Sequence, residues 1–72
     1  MMKVEVRLDT QTDILEFVRT VTPVQAPVYL TSDGLRVSAK SLLGAIYTLE
    51  WAEIWCECEK DIYHLIERFV VC

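Results

Sequence analysis

The sequence predicts an α+β domain in which a four-stranded antiparallel sheet is covered on one face by helices, an open-faced sandwich. Three observations carry that expectation. Short segments alternate apolar and polar residues with a period of two, as in Lys3-Val4-Glu5-Val6-Arg7-Leu8 and Glu53-Ile54-Trp55-Cys56-Glu57-Cys58-Glu59. Other segments repeat apolar residues at helical spacing. An Asp33-Gly34 pair stands between two alternating runs, the pattern of a tight hairpin. Elements of both kinds, interleaved along one short chain, pack as helices on one side of a sheet.

Each element can be read in turn. In the first strand, Val4, Val6 and Leu8 face one way and Lys3, Glu5 and Arg7 the other, so the strand is half-buried. Asp9-Thr10-Gln11-Thr12-Asp13 then offers several helix caps in a row, and Ile14, Phe17, Val18 and Val21 form the apolar stripe of a first helix that Pro23 ends. Pro27–Thr31 and Leu35–Lys40 are the two strands of the hairpin. Ser41 opens and caps a short apolar helix over Leu42–Tyr47. Glu53–Glu59 is a fourth strand, with Ile54, Cys56 and Cys58 inward and Trp55, Glu57 and Glu59 outward. Asp61 caps a last helix with Ile62, Leu65, Ile66 and Phe69 buried and His64, Glu67 and Arg68 on its polar side. The predicted order is β-α-β-β-α-β-α, with no linker, repeat or low-complexity tract.

With 72 residues, the chain has room for one domain, residues 1–72, and one core. Such a domain buries only about 60% of the surface its unfolded chain exposes, which leaves little room for a deep pocket. An apolar fraction of 53% is too high for disorder and places some apolar side chains on the surface, where patches mark contact sites. The net charge of −4 and a pI near 4.8 argue against nucleic acid as a partner, since an acidic domain repels phosphate backbones. No segment approaches the ~20 apolar residues of a membrane span. The start, Met1-Met2-Lys3-Val4-Glu5, lacks the features of a signal peptide, so the cytosol is the expected compartment.

The residues that carry chemistry are few. Cys56 and Cys58 share the inward side of a strand without a second ligand pair at zinc spacing, so they read as buried apolar side chains and no metal or cofactor is expected. His64 is the only histidine and reads as solvated. Glu57 and Glu59 read as solubilising charges on an exposed strand face. With two glycines the chain has no phosphate-binding loop. Trp55 and Tyr29 point outward on the face away from the helices and form a candidate interface for a partner or for a second copy. Trp51 is read as a plug at the edge of the core.

One segment resembles a known family. Val28-Tyr29-Leu30, Asp33-Gly34, Val37 and then Lys40-Ser41-Leu42-Leu43-Gly44 are similar in content and interval to HPr, the histidine-containing phosphocarrier protein of the bacterial sugar phosphotransferase system. That family shows a strand, an Asn/Asp-Gly hairpin and a second strand running into a Lys-Ser-(Ile/Leu)-(Met/Leu)-Gly helix start. The predicted order of elements agrees along the whole chain. The resemblance implies an HPr-like fold and a phosphoryl-accepting His at the start of the first helix, aided by an Arg and a Pro. Counted back from Ser41, those positions hold Thr10, Thr12 and Asp13, and none of the three family residues is retained. A neutral hydroxyl is a poor substitute nucleophile, and a carboxylate beside it repels an incoming phosphoryl group. The connection from Leu49 to Ile54 and the turn after Cys58 are also shorter than the family's.

The resemblance therefore implies a shortened HPr relative without the phosphocarrier step, neither enzyme nor cofactor protein. It also implies that Ser41 matches the serine which a dedicated kinase phosphorylates in some Gram-positive members, and that Leu42, Leu43 and Ile46 match the family's apolar docking patch. Components of the phosphotransferase system, or a Ser kinase, are the partners it suggests. The alternative expectation is a self-associating regulatory or ligand-binding module on the same framework, unrelated to sugar transport, with Trp55 and Tyr29 at the interface.

Overall fold

The computed structural model describes residues 1–71, and Cys72 lies outside the described residues. Four strands form one antiparallel sheet: β1 (Met2–Val6), β2 (Val28–Ser32), β3 (Leu35–Ser38) and β4 (Ile54–Cys58), in the spatial order β1-β4-β2-β3. Because β1 and β2 both run against β4, they run parallel to each other. Helix α1 (Gln11–Val21) carries the chain between them and leaves the slot that β4 later fills. β2 and β3 form the hairpin, turning through Asp33 at φ 47° and Gly34 at φ 87°. Two consecutive left-handed residues are the geometry that suits the right-handed twist of the flanking strands.

Register decides what the sheet buries. On one face Met2, Cys58 and Val28 lie in line, then Val4, Cys56, Leu30 and Val37, then Val6 and Ile54. These residues share a single core with Leu8, with Ile14, Phe17, Val18 and Val21 of α1, and with Ala39, Ala45, Ile62, Ile66 and Phe69. Burying an aliphatic or aromatic side chain of this kind is worth roughly 1.5–3 kcal/mol, so the cluster is the main source of stability. Phe17 and Phe69 meet edge to face, with ring centres 5.2 Å apart, and tie α1 to the end of the chain. The opposite face carries Lys3, Glu57, Tyr29 and Ser38 in one row and Glu5, Trp55, Thr31 and Arg36 in the next.

The remaining elements are short. Helix α2 (Leu42–Ile46) passes directly into a 3-10 turn (Tyr47–Glu50), so the single apolar helix expected over Leu42–Tyr47 is divided. Helix α3 (Tyr63–Ile66) is one turn long and continues as a second 3-10 turn (Glu67–Phe69). Two expectations for this helix are corrected. Asp61 is not its N-cap: Ile62 is, and Asp61 instead accepts a hydrogen bond from the Tyr63 amide at 3.0 Å in a local turn ahead of the helix. Leu65 is 40% exposed rather than buried, because the helix begins only after Ile62, so helical spacing counted from Ile62 does not carry through to Leu65 and Ile66 alone of the turn faces the core.

After the second 3-10 turn the chain lies along the free edge of β1. Val70 bridges Val6, the Arg7 amide donates to the Phe69 carbonyl at 2.7 Å, and the Val71 amide donates to the Glu5 carbonyl at 3.0 Å.

Candidate functional site

The start of α1 is a closed capping box. Thr10 is the N-cap. Its hydroxyl accepts from the Asp13 amide at 3.1 Å, and the Asp13 carboxylate reaches back to accept from the amides of Thr10 at 3.3 Å and Asp9 at 3.1 Å. Thr12 is exposed in the first turn and takes no part. The three residues at this helix start are thus brought together by the fold, and two of them are engaged with backbone donors. A shallow groove beside them is lined by Arg7, Asp9, Asp13, Glu16 and Arg68. Glu16 pairs with Arg68 at 3.7 Å, and the Arg68 guanidinium also lies over the Phe69 ring. An anion arriving here meets a carboxylate already seated at the helix terminus, where the dipole would otherwise attract it.

The second feature is apolar and exposed. Ser41 caps α2, its hydroxyl accepting from the Gly44 amide at 3.2 Å. A helix of this length cannot bury every apolar residue it carries. Ala45 is fully buried and Ile46 packs against the core, whereas Leu42 is 41%, Leu43 72% and Tyr47 60% exposed. Leu42, Leu43 and Ile46 therefore differ: Ile46 anchors the helix, and the two leucines face solvent. Leu49 adds a further exposed apolar side chain in the following turn. The patch is held in place from below. α2 packs against α1 and β3, and the Lys40 ammonium donates to the Val24 carbonyl, fastening the corner before Ser41 to the loop after α1. Ser41 itself is exposed at the border of the patch.

The third feature is the outer sheet face. Trp55 and Tyr29 both lie on it, as their alternation requires, and both are half-buried. Each ring is covered by a cation from a neighbouring strand. The Lys3 ammonium sits 5.8 Å from the Trp55 ring centre, and the Arg36 guanidinium 3.7 Å from that of Tyr29. Glu57 is not the free solvated charge expected from the sequence. It is half-buried, accepts from the Thr31 hydroxyl at 2.9 Å and pairs with Lys3 at 3.7 Å. Glu59, by contrast, is exposed beyond the strand end. Trp51 packs at the core margin.

The cysteines and the histidine show no catalytic grouping among the described residues. Cys56 and Cys58 are buried free thiols, and burial, with smaller contributions from Cys58 and Glu57, pushes the Cys56 thiol up to about 12. His64 is exposed on the short third helix. Among the described residues no cluster has the side chains to hold a metal ion, and no helix is long and apolar enough to cross a membrane.

Reading the sequence alone missed three of these features. The capping box was legible, because Thr10-x-x-Asp13 is its signature at a helix start. The cation-covered rings were partly legible, since Lys3, Arg36 and both aromatics all fall on outward strand positions. The pairing of Val70 and Val71 with β1 left no signal in so short a segment. Comparison with known proteins finds no family model, no curated protein and no solved structure that matches the chain.

Proposed function

We propose that the chain is a protein-docking relative of HPr, working in the cytoplasm beside the phosphotransferase system or its regulation, and that it does not relay phosphate. The observation that carries this reading is the contrast between two helix starts. At Ser41 an exposed capping hydroxyl adjoins exposed Leu42 and Leu43, on a corner that Lys40 fastens. At Thr10 the position that resembles the phosphoacceptor's holds a hydroxyl locked to Asp13. The order β1-β4-β2-β3 is compatible with the resemblance drawn from the hairpin and the Lys-Ser-Leu-Leu-Gly run. In this reading Leu42 and Leu43 form the contact surface, and Ile46, expected to share it, anchors the helix beneath them. Ser41 is the candidate for control by a Ser kinase, since a dianionic phosphate beside two exposed leucines would change what they can bind. The chain itself catalyses nothing.

The test uses the general phosphotransferase enzyme of the sugar-uptake system with labelled phosphoenolpyruvate. The expected result is no transfer of label to this protein, together with amide shifts at residues 42–47 when the two proteins are mixed. Leu43→Glu should weaken that contact by about tenfold without altering the far-UV spectrum. Label arriving on His64, or a spectrum unmoved by the enzyme, overturns the reading.

A second reading is favoured by a different observation, the placing of Trp55 and Tyr29 on a sheet face that no part of the core reaches. In that reading the protein is a self-associating module unrelated to sugar transport, and its mass in solution rises with concentration.

A further inference from the structure

The outer face of the sheet carries charges of both signs. Its strand positions hold Lys3 and Arg36 against Glu5 and Glu57, a balanced set, with Glu53 and Glu59 flanking it just beyond the ends of β4. The face can therefore present opposite charges in register to a second copy. It also concentrates Trp55, Tyr29 and Arg36, the residue types that dominate binding energy at protein interfaces.

Within the face the charges are not equivalent. Lys3 and Glu57 satisfy one another at 3.7 Å. Glu5 and Arg36 have no ion-pair partner among the described residues. They occupy the two ends of one row, Glu5 on β1 and Arg36 on β3, with Trp55 and Thr31 between them. Three strand spacings separate them, about 14 Å, too far to pair within one chain.

We infer that this face is where two copies of the chain meet, sheet against sheet, about a two-fold axis parallel to the strands between β4 and β2. Such an axis exchanges the ends of each row, so Glu5 of each copy lies opposite Arg36 of the other and Trp55 lies opposite Thr31. The two unpaired charges of the face then complete each other twice, and the Arg36–Tyr29 stack orients the guanidinium for the contact. Four strands of this length present roughly 300 Å² in projection, against about 800 Å² per partner in a standard interface, so the association is weak and rapidly reversible. The inference rests on the self-association reading above and adds the surface, the axis and the pair that sets the register.

The test is a charge exchange followed by sedimentation equilibrium and amide spectra from roughly 0.05 to 2 mM, the range in which a weak dimer populates. For the unaltered chain, the weight-average mass should rise with concentration, with shifts at Tyr29, Thr31, Arg36 and Trp55. E5R and R36E should each weaken the dimer by about tenfold, and the E5R/R36E double variant should return to within about threefold of the starting affinity. E5R lowers the overall negative charge, so general repulsion alone predicts that it tightens the dimer. A tighter E5R dimer, or a double variant no better than the singles, overturns the arrangement while leaving self-association standing. A monomer at every concentration ends both. Should a reversal disturb the far-UV spectrum, Glu5→Gln and Arg36→Gln, singly and together, measure the same coupling.

Discussion

At the scale of single residues, the start of α1 is decided by two side chains that answer each other. Thr10 serves the Asp13 amide while Asp13 serves the amides of Thr10 and Asp9, so orphan donors at the helix terminus are satisfied without solvent. Thr10→Ala should cost about 1 kcal/mol, a fall in Tm of roughly 4–8 °C for a domain this small, with Thr10→Ser recovering most of it in thermal melts. Asp13→Ala added to Thr10→Ala should cost less than the two singles suggest, because each removes the same reciprocal arrangement. Cys56 sets a different dependence. Its thiol is held up at about 12 against an ordinary 9.0, chiefly by burial. Below pH 9 the thiol is protonated in folded and unfolded chains alike, and its contribution is complete. Above that, the unfolded chain releases the proton and the folded chain keeps it, so stability falls as pH rises, by up to about 1.4 kcal/mol per pH unit, until the folded thiol ionises too. Urea melts between pH 8 and 10.5 should show this decline, and Cys56→Val should flatten it. The same slope in both proteins would assign the effect to other groups.

At the scale of elements, the two glycines play opposite parts. Gly34 holds φ +87° in the hairpin with open space around it, so the strain a side chain would meet there is in the backbone alone. Gly44 lies inside α2 with ordinary clearance to Ser41 and Val37. Gly34→Ala should therefore destabilise by about 1 kcal/mol while Gly44→Ala stabilises by up to about that amount, a difference in sign that paired denaturant melts resolve. How far the elements could be read from the sequence follows the same physics. β1, β2, β4 and α1 were legible because each carries a clean period against one buried face, as in Val4-x-Val6-x-Leu8 and in Ile14, Phe17, Val18 and Val21, whereas β3, with no buried residue, was legible only as the partner across the turn. The hairpin was legible from Asp33-Gly34. The last helix was misread at Asp61 and Leu65 because it is a single α-turn that begins only after Ile62, and spacing counted from Ile62 is then a poor guide to direction. At the candidate sites, sequence placed Ser41, Leu42 and Leu43 at the head of a short helix but could not separate Ile46 from them, since which apolar residue turns inward depends on the neighbour it meets. Glu57 looked solvated because its partners, Thr31 and Lys3, come from other strands.

At the scale of the whole molecule, a small core leaves little reserve, and the sheet must also manage its borders. β3 is a short edge of four residues. β1, the other edge, is occupied along its second half by Phe69, Val70 and Val71. Exposed strand borders with unsatisfied amides are templates on which further chains can add. The last described residues therefore act as a hem, stopping the sheet from growing sideways. A chain ending at Arg68 should lose the Phe17–Phe69 contact, bare the backbone of Glu5 and Arg7, and form thioflavin-binding aggregates on standing at concentrations where the intact chain stays clear. Val71→Pro, which deletes one donor and spares Phe69, should move part of the way. The practical corollary concerns handling: a bulky group introduced beside Val70 or Val71 pulls on the stitch to β1, so a label is better carried at Met1, whose side chain already stands in solvent.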